Sequence, residues 1–372
     1  MPASAEGNGE DINRALRREI ILCTAWGITD SIQAGRRCSN PERRDDKPTR
    51  KRIHLPHSYL VNKVFDFVTY CPSQFAELRS ICAQDAGEYL GSFTAPGQSD
   101  EMVERFTEGR SGSFFYFTHD QKYLVKTVTS GDKATLLAYL TEYRSHLQRF
   151  PQSLLPRFLG LYAIRLSPEQ RYIHFVVMQN VFAAAGSPLR RDLVFDLKGS
   201  RIKRRVVPQH ASIYSVSGVT LKDLDLRETI TMGDVAKSAV QSQLTVDVSF
   251  LNSHNIMDYS LLLGIFRCTD AATLSRFHRG SASAEDAATE TAVEARLLDG
   301  IASSKKPMAG DERGSVVYFG GLIDVLQRYS WSKVLENTSK RALLCQDGHG
   351  ISCVEPDEYA LRFLQAMGQH MR

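Results

Sequence analysis

The sequence predicts an α+β fold in which helices pack against an antiparallel sheet. Two aromatic and β-branched runs, at residues 113–118 and 123–129, are separated by only four residues, which is typical of a β-hairpin. Residues 135–150 then carry apolar side chains at helical spacing, and residues 174–181 form a further β-rich run. Two strands, a helix and a strand in this order favour an antiparallel sheet with a helix against it.

The chain of 372 residues has an ordinary globular composition, with 42% hydrophobic and 24% charged residues. This composition excludes wholesale disorder, a collagen-like chain and a small disulfide scaffold. The net charge is +4, from 46 basic and 42 acidic side chains, so the positions of the basic residues matter more than their sum. The 7 cysteines are scattered without metal-ligand spacing, which indicates reduced thiols in an intracellular protein.

The N-terminal residues 1–52 are predicted to be a tail that is disordered or partly helical. They begin with small polar residues, and residues 36–52 are dense in charge and contain two prolines. The apolar run at 20–28 is too short to span a membrane, and no clean basic segment precedes it. We therefore expect no signal peptide and only peripheral contact with membranes.

Spacing and composition predict further elements in the domain that follows. Helical spacing is found at 61–70, 75–90, much of 218–250 and from Pro356 onward, and buried strands are predicted at 259–266 and 315–324. Residues 269–312 are rich in alanine, serine and acids, which predicts a disordered insert. Residues 325–355 form a second irregular stretch.

The first candidate for chemistry is a glycine-rich turn at the entry to the predicted hairpin, together with a lysine inside it. Gly109, Ser111, Gly112 and Ser113 would let backbone N–H groups approach a phosphate closely, although most such turns are only structural. Lys126 lies among apolar neighbours in the second strand, where a lysine needs an anionic partner or an exposed face. The alternatives are a phosphate-binding lysine and an edge lysine that reaches solvent.

The second candidate is a basic cluster directly after an Asp-x-Lys-Gly turn. The cluster consists of Lys198, Arg201, Lys203, Arg204 and Arg205. A solvated loop is the usual explanation of such a run, but the adjoining turn also makes it a candidate anion site.

Two aspartates complete the set. Asp258 enters an apolar strand, where a carboxylate can cap a turn or accept a proton from a substrate hydroxyl. Asp324 ends another strand, a position suited to a Mg²⁺ ligand. With the glycine turn and Lys126, in this chain order, they match the parts needed for phosphoryl transfer.

Several motifs closely resemble the phosphatidylinositol phosphate kinase family, from about residue 65 to the C-terminus. They are FDLKGS at 195–200, IMDYSLLLGI at 256–265, GLIDVLQRYSWSKVLENTSK at 321–340 and PDEYALRF at 356–363. The resemblance implies a kinase-like two-lobed catalytic domain over 53–372, with an N-lobe over about 53–180 and a smaller C-terminal lobe over about 181–372. It also implies transfer of the γ-phosphate of ATP to the inositol ring of a membrane phosphoinositide.

The resemblance assigns roles to individual residues. Lys126 matches the ATP-phosphate lysine, Asp258 the catalytic aspartate and Asp324 the Mg²⁺ ligand. The glycine-rich loop matches residues 109–113. The hinge near adenine includes Met178, Asn180 and Val181, and the head-group surface includes Lys198 and Arg204. The implied partners are phosphoinositide head groups on the cytoplasmic face of an anionic membrane, above all the plasma membrane, and a homodimer is compatible with the family.

The subclass depends on the predicted specificity loop at 325–355. Family members that phosphorylate the 5-position carry a glutamate there, and Lys333 and Glu336 fit that pattern in this sequence. The resemblance therefore implies 5-hydroxyl phosphorylation of phosphatidylinositol 4-phosphate. Kinases that act on the 3-phosphate or the 5-phosphate lipid are the alternatives.

Three departures or alternatives accompany this assignment. No glutamate occurs in residues 127–141 to pair with the ATP lysine, so either Asp132 substitutes for it or the pairing is weak. A phosphoinositide-binding scaffold with little turnover is therefore a second hypothesis. Residues 20–32 also resemble the end of a membrane-receptor domain, as in some protist fusions. We expect no nucleic-acid partner, because the aromatics lie in strand patterns rather than among basic residues.

Overall fold

The chain divides into two compact units in the computed structural model. Unit 1 comprises Met1–Ala134 and Arg157–Asn180, and unit 2 comprises Thr135–Pro156 and Val181–Arg372. The structure describes residues 6–37, 46–55, 63–94, 107–108, 114–183, 189–216, 218–268, 309–310, 316–329 and 355–371. One division between the units falls after residue 180, and residues 135–156, which were predicted in the N-lobe, belong to unit 2. The predicted lobe bounds stay a prediction.

Unit 1 is built on an antiparallel sheet with the strand order β1-β2-β6-β7-β5-β4-β3. The strands are β1 (Thr49–His54), β2 (Val64–Tyr70), β3 (Thr107–Glu108), β4 (Phe114–Phe117), β5 (Tyr123–Val128), β6 (Phe158–Arg165) and β7 (Ile173–Gln179). Strands β4 and β5 form the predicted hairpin, and β7 is the predicted third strand. Strand β6, which was not predicted, lies between β2 and β7 and is almost wholly buried.

The described residues of this unit also form the helices α1 (Glu6–Arg37), α2 (Pro72–Ile81) and α3 (Ala86–Thr94). The N-terminal segment is helical over Glu6–Arg37, as the partly helical alternative allowed, but this helix is packed against the sheet and is not a free tail. Ile21, Cys23 and Ile28 of α1 are buried, and α1 packs against α3, β2 and β6. Gly27 permits this close approach, because a Cβ there would lie 2.2 Å from the Phe67 ring. Strand β1 also begins before the predicted domain boundary.

Two helix predictions in unit 1 need correction. Residues 61–70 were predicted to be helical, but they contain β2, whose aromatic and β-branched residues fit a pleated, half-buried surface better than a helix. Residues 75–90 were predicted as one run, but α2 ends before Cys82, and Ala83 has a positive φ of 50°. Left-handed backbone cannot continue a helix, so the chain turns there before α3 begins.

Unit 2 contains the second sheet, with the strand order β11-β12-β10-β8-β9. Its strands are β8 (Leu189–Leu197), β9 (Thr220–Lys222), β10 (Ser260–Cys268), β11 (Ala309–Gly310) and β12 (Val316–Ile323). Strands β8 and β9 are parallel, and the other pairs are antiparallel. The predicted strands at 259–266 and 315–324 correspond to β10 and β12. Most of the predicted insert at 269–312 lies outside the described residues.

In the part of unit 2 that the structure describes, the helices are α5 (Asp234–Ser253), α6 (Pro356–His370) and most of α4 (Ser130–Arg149), which starts in unit 1. Before α5, residues 218–233 form β9 and a short 3₁₀ turn instead of the predicted helix. A buried hydrogen bond of 2.7 Å, between His146 Nε2 and Asp247 Oδ1, joins α4 to α5. Helix α6 starts at Pro356 as predicted and packs against α5. None of the helices in the described residues combines the length and apolar character needed to cross a membrane.

Candidate active site

Three predicted functional residues lie at one edge of the sheet in unit 2. Lys198 follows β8, Asp258 precedes β10 and Asp324 follows β12. These strands are adjacent and antiparallel, with Leu197 opposite Leu261 and Ser260 opposite Ile323. Their turns therefore meet at the same edge, although the three residues are far apart in sequence.

The turns that carry the two aspartates are joined by backbone hydrogen bonds. Met257 N–H donates to the Gln327 carbonyl at 3.0 Å, and Tyr329 N–H donates to the Asn255 carbonyl at 2.9 Å. The pairing thus continues past the end of the sheet, on the far side of both aspartates. This second pairing fixes the two carboxylate-bearing segments relative to each other.

Both aspartates have left-handed backbone conformations, with φ of 63° at Asp258 and 59° at Asp324. A residue with a side chain rarely adopts this region, although aspartate tolerates it better than most. Such conformations cluster at functional sites, where the surrounding structure enforces them. At Asp324 the carboxylate is exposed, and at Asp258 it is 30% exposed.

Lys198 is paired directly with the predicted catalytic carboxylate. Its Nζ lies 2.8 Å from Asp258 Oδ1, and its side chain is only 15% exposed. A half-buried pair of this kind restrains the carboxylate and keeps a cation at the same edge. Contact of Lys198 with a substrate head group stays a prediction, but its partner in this structure is Asp258.

The Lys198 turn is held by a buried carboxylate that sequence analysis did not identify. Asp223 Oδ1 accepts the backbone N–H of Lys198 at 2.9 Å and that of Gly199 at 2.7 Å. Gly199 has a φ of +65°, and a Cβ there would lie 2.9 Å from the Cβ of Ala366 on α6. The turn therefore lies between Asp223 and α6, in a conformation and a space that favour glycine.

Arg204 does not belong to an exposed basic surface, so that prediction is wrong for this residue. Its side chain is 9% exposed, its Nε donates to Asp223 Oδ2 at 2.6 Å, and its NH2 group lies 3.1 Å from Asp196 Oδ1. Burial tends to lower the pKa of Arg204, but the two neighbouring carboxylates raise it overall. Of the remaining basic residues in the run, Arg201, Lys203 and Arg205 are exposed.

A second buried carboxylate, Asp225, anchors the far end of the same basic segment. It accepts the N–H groups of Val206 at 2.9 Å, Val207 at 3.0 Å and Lys222 at 3.0 Å. Asp223 and Asp225 are separated by one apolar residue in a 3₁₀ turn. Two acids one residue apart, downstream of a basic segment that contains no acid, were the available sequence signal for this role.

Helix α6 holds the Asp258 segment through a contact between Tyr359 and Tyr259. The hydroxyl of Tyr359 donates to the Tyr259 carbonyl, and the two rings meet edge to face at 4.8 Å. Burial, reinforced by the charge of Asp258, raises the pKa of Tyr359 well above its usual range. The hydroxyl therefore keeps its proton and remains a donor to the backbone beside Asp258.

Lys126, the predicted ATP-phosphate lysine, lies in unit 1 on β5, between β4 and β7. It is opposite Phe115 on one side and Val176 on the other, and it is partly exposed. The glycine-rich turn, with Gly109, Ser111, Gly112 and Ser113, lies outside the described residues, as do Lys333 and Glu336. Their roles stay predictions.

Asp132 has a structural role at the start of α4. Its Oδ2 accepts the N–H of Thr129 at 3.0 Å and the hydroxyl of Thr129 at 2.8 Å. The Thr129 hydroxyl in turn accepts the N–H of Asp132 at 3.0 Å. This reciprocal pattern is a capping box, which satisfies backbone donors at the helix start. Both carboxylate bonds described for Asp132 go to Thr129, which weighs against its substituting for the family glutamate.

The predicted hinge lies where one unit ends and the other begins. Met178 is in β7, Asn180 is the last residue of unit 1 and Val181 is the first of unit 2. Asn180 is held by the β4–β5 turn, because its N–H donates to the Lys122 carbonyl at 2.9 Å and its Nδ2 donates to the Gln121 carbonyl at 2.7 Å.

The described residues contain no group of three or more histidine, cysteine, aspartate or glutamate side chains that could hold a metal ion. This donor set still fits Mg²⁺, because Mg²⁺ is usually bound by one or two protein carboxylates together with substrate phosphates and water. Asp324 supplies one exposed carboxylate of this kind.

Two carboxylates and a lysine at one sheet edge of unit 2 are features expected of a kinase-type site. Unit 1 by itself carries a lysine, Lys126, on a hairpin strand. A sequence model of the phosphatidylinositol-4-phosphate 5-kinase family matches residues 97–370. The chain therefore belongs to the phosphatidylinositol-4-phosphate 5-kinase family, as the motifs implied.

Named relatives agree with this membership. Phosphatidylinositol 4-phosphate 5-kinase 5 of Arabidopsis thaliana is 31% identical over 98% of this chain and 51% of its own length. The rat type-1 beta 5-kinase is 32% identical over 82% of this chain and 58% of its own length. A human 5-kinase-like protein 1 is 30% identical over 92% of this chain and 86% of its own length. The chain spans about half the length of two of the Arabidopsis kinases that it matches, phosphatidylinositol 4-phosphate 5-kinases 5 and 6.

Proposed function

We propose that this chain is an ATP-dependent lipid kinase that phosphorylates the 5-hydroxyl of phosphatidylinositol 4-phosphate. The product is phosphatidylinositol 4,5-bisphosphate. The observation that carries the proposal is the register of β8, β10 and β12, which brings Lys198, Asp258 and Asp324 to one edge of a sheet. Family membership and the names of the relatives support the same activity.

Each residue has a distinct task in this proposal. Asp258 accepts the proton of the attacking hydroxyl, and Lys198 restrains its carboxylate through the 2.8 Å contact. Asp324 holds Mg²⁺, which when bound neutralises charge on the transferred phosphate. Lys126 binds the phosphates of ATP beneath the predicted glycine-rich turn. Positioning and charge neutralisation account for most of the catalysis in such reactions.

A kinase assay on the three phosphatidylinositol monophosphates, with analysis of the product head group, tests this function. We expect phosphatidylinositol 4-phosphate to be the best substrate and the 4,5-bisphosphate to be its product. Asp258→Asn should lower turnover by orders of magnitude, because an amide cannot accept the proton. Preference for the 3-phosphate or 5-phosphate lipid would reassign the chain to an alternative subclass, and an active Asp258→Asn variant would remove the proposed base.

A second candidate, a phosphoinositide-binding scaffold with little turnover, is favoured by the position of Asp132. Both described bonds of its carboxylate go to the Thr129 capping box, and no glutamate occurs in residues 127–141. Measurement of ATP consumption beside head-group binding separates the candidates. Tight head-group binding without phosphate transfer would support the scaffold.

The proposal includes a location and a specificity element. The enzyme acts at the cytoplasmic face of membranes that contain phosphoinositides, either as a single chain or as a homodimer.

Glu336 is proposed to select the 4-phosphate lipid by orienting Lys333 or by accepting a hydrogen bond from a ring hydroxyl. Glu336→Ala should then shift preference toward phosphatidylinositol 5-phosphate, with the Michaelis constant for ATP unchanged. An unaltered lipid preference would contradict this role.

A further inference from the structure

We propose that residues 201–216 and 218–219, called the 201–219 loop, insert apolar side chains into the lipid surface beside the candidate active site. The inference rests on the proposed function and adds a mode of membrane contact to it. The loop begins three residues after Lys198, whose Nζ pairs with Asp258. A membrane that contacts this loop would therefore lie next to the sheet edge that carries Lys198 and Asp258.

The loop presents apolar side chains to solvent. Val206 is 40% exposed, Tyr214 is 55% exposed and Val219 is 44% exposed. They make up half of the large hydrophobic side chains that are exposed among the described residues, within 14 positions of sequence. Single exposed apolar residues are ordinary, but a group on one loop marks an interaction surface.

These side chains are held outward by a well-anchored backbone. Asp225 binds the N–H groups of Val206 and Lys222, which brings the two ends of the loop together. Arg227 donates to the carbonyls of Pro208 at 2.9 Å and Ala211 at 2.6 Å. Between these anchors Val207 and Ile213, at 1% and 9% exposure, face the interior. The loop thus has an inner and an outer apolar face, and its outer face is exposed among the described residues.

Charge identifies an anionic lipid surface as the partner. The exposed cations Arg201, Lys203 and Arg205 share the loop with the apolar side chains. No acidic residue occurs from position 201 to position 222, and Asp223 and Asp225, which follow, are buried and bonded to the backbone. Tyrosine beside lysine and arginine is typical of segments that lie in the interface between water and lipid.

Insertion also compensates for a small number of available cations. Arg204 is buried between Asp223 and Asp196, and Lys198 pairs with Asp258, so two cations of the run are engaged within the protein. The three exposed cations each raise affinity for an anionic surface by about fivefold, an effect that salt screens. Burial of apolar surface adds a contribution that salt does not screen.

The test uses the full chain with phosphatidylcholine vesicles that contain phosphatidylserine but no phosphoinositide, in the absence of ATP. The apolar variant replaces Val206, Tyr214 and Val219 with serine, and the charge variant replaces Arg201, Lys203 and Arg205 with glutamine. The matched control is Leu361→Ser, because Leu361, on α6, is the most exposed large apolar residue among those that the structure describes, at 61%.

We expect the apolar variant to bind these vesicles about tenfold more weakly at every salt concentration, with an unchanged salt dependence. The charge variant should lose most of the salt dependence of vesicle binding. It should keep a weak binding to the vesicles that comes from the apolar side chains. Leu361→Ser should bind like the wild type. Equal affinities of the apolar variant and the wild type would overturn the proposal.

Fluorescence quenching locates the inserted side chain directly. Tyr214→Trp should gain quenching by vesicles of brominated phosphatidylcholine with phosphatidylserine, relative to the parent chain, whereas Leu361→Trp should gain none. Equal gains at the two positions, or self-association of the chain through this loop in sedimentation, would also overturn it. None of these measurements needs turnover, so a failed kinase assay would reject the proposed function without affecting this result.

Discussion

Unit 1 and unit 2 position their candidate phosphate-binding groups by different means. In unit 1, Lys126 lies in the middle of a regular strand, and the ladders to β4 and β7 fix its place. In unit 2, Lys198, Asp258 and Asp324 lie in turns just beyond strand ends, and both aspartates have positive φ. These turns depend on tertiary contacts with Asp223, the 327–329 segment and α6. The comparison implies that damage to distant supports should affect the site in unit 2 more than that in unit 1.

The largest expected effect is loss of the carboxylate at the sheet edge. Asp324→Asn should lower turnover by orders of magnitude, because the amide is a weak Mg²⁺ ligand and transfer depends on charge neutralisation. Folding should be nearly unchanged, since the side chain is exposed. Kinase activity over a range of Mg²⁺ concentrations measures the effect, with circular dichroism as the folding control. Wild-type activity at low Mg²⁺ would show that Asp324 is not the metal ligand.

The second prediction compares the two buried acids that hold the basic segment. Asp223→Asn and Asp225→Asn should each destabilise the fold by about 1–3 kcal/mol, because each replaces a satisfied buried acceptor. Only Asp223 holds the Lys198 turn, so Asp223→Asn alone should lower kcat, by about tenfold or more, with little change in the Michaelis constant for ATP.

Asp225→Asn is the matched control for that comparison, since its carboxylate binds Val206, Val207 and Lys222 instead. Denaturant unfolding and steady-state kinetics on the same preparations provide the two readouts. Equal losses of kcat in the two variants would mean that Asp223 acts only through general stability.

The third prediction concerns the contact between the Lys198 turn and α6. Gly199 and Gly218 both have positive φ, at +65° and +73°, but only Gly199 has close neighbours. Gly218→Ala should cost about 1 kcal/mol of unfolding free energy from backbone strain alone. Gly199→Ala should cost more, because its Cβ also meets Ala366 at 2.9 Å. If the two variants lost equal unfolding free energy in denaturant, α6 would have moved to accept the new Cβ, and it would not restrain the turn.

The regular part of this molecule is more predictable from its sequence than the irregular part. The hairpin with Lys126, strands β10 and β12 and the start of α6 follow from local spacing, and local spacing was enough to predict them. It failed at residues 61–70, where the alternation of β2 was interpreted as helical, and at the tail, because burial of α1 depends on where its face packs. The motifs identified Asp258 and Asp324 as candidate site residues. They did not predict the backbone hydrogen bonds that fix the two segments relative to each other.

The supporting contacts of the site could not be predicted from spacing alone. Arg204 belongs by sequence to a run of exposed cations, and only the fold brings Asp196 and Asp223 against it. Asp223 likewise acts on backbone N–H groups that lie 24 and 25 positions earlier. Such contacts depend on how β8, β9 and the 3₁₀ turn pack, which no local pattern records.

The smallest expected effect tests the beginning of α4 in unit 1, where local sequence is sufficient. Thr129 and Asp132 have the spacing of a capping box, and the structure contains its reciprocal bonds. Thr129→Ala should cost about 1 kcal/mol of unfolding free energy, whereas Thr129→Ser should cost little, because serine keeps the acceptor. Denaturant unfolding of the two variants measures this difference, and turnover should follow folding only. If Thr129→Ala instead changed the Michaelis constant for ATP, Asp132 would have a role near the nucleotide beyond capping.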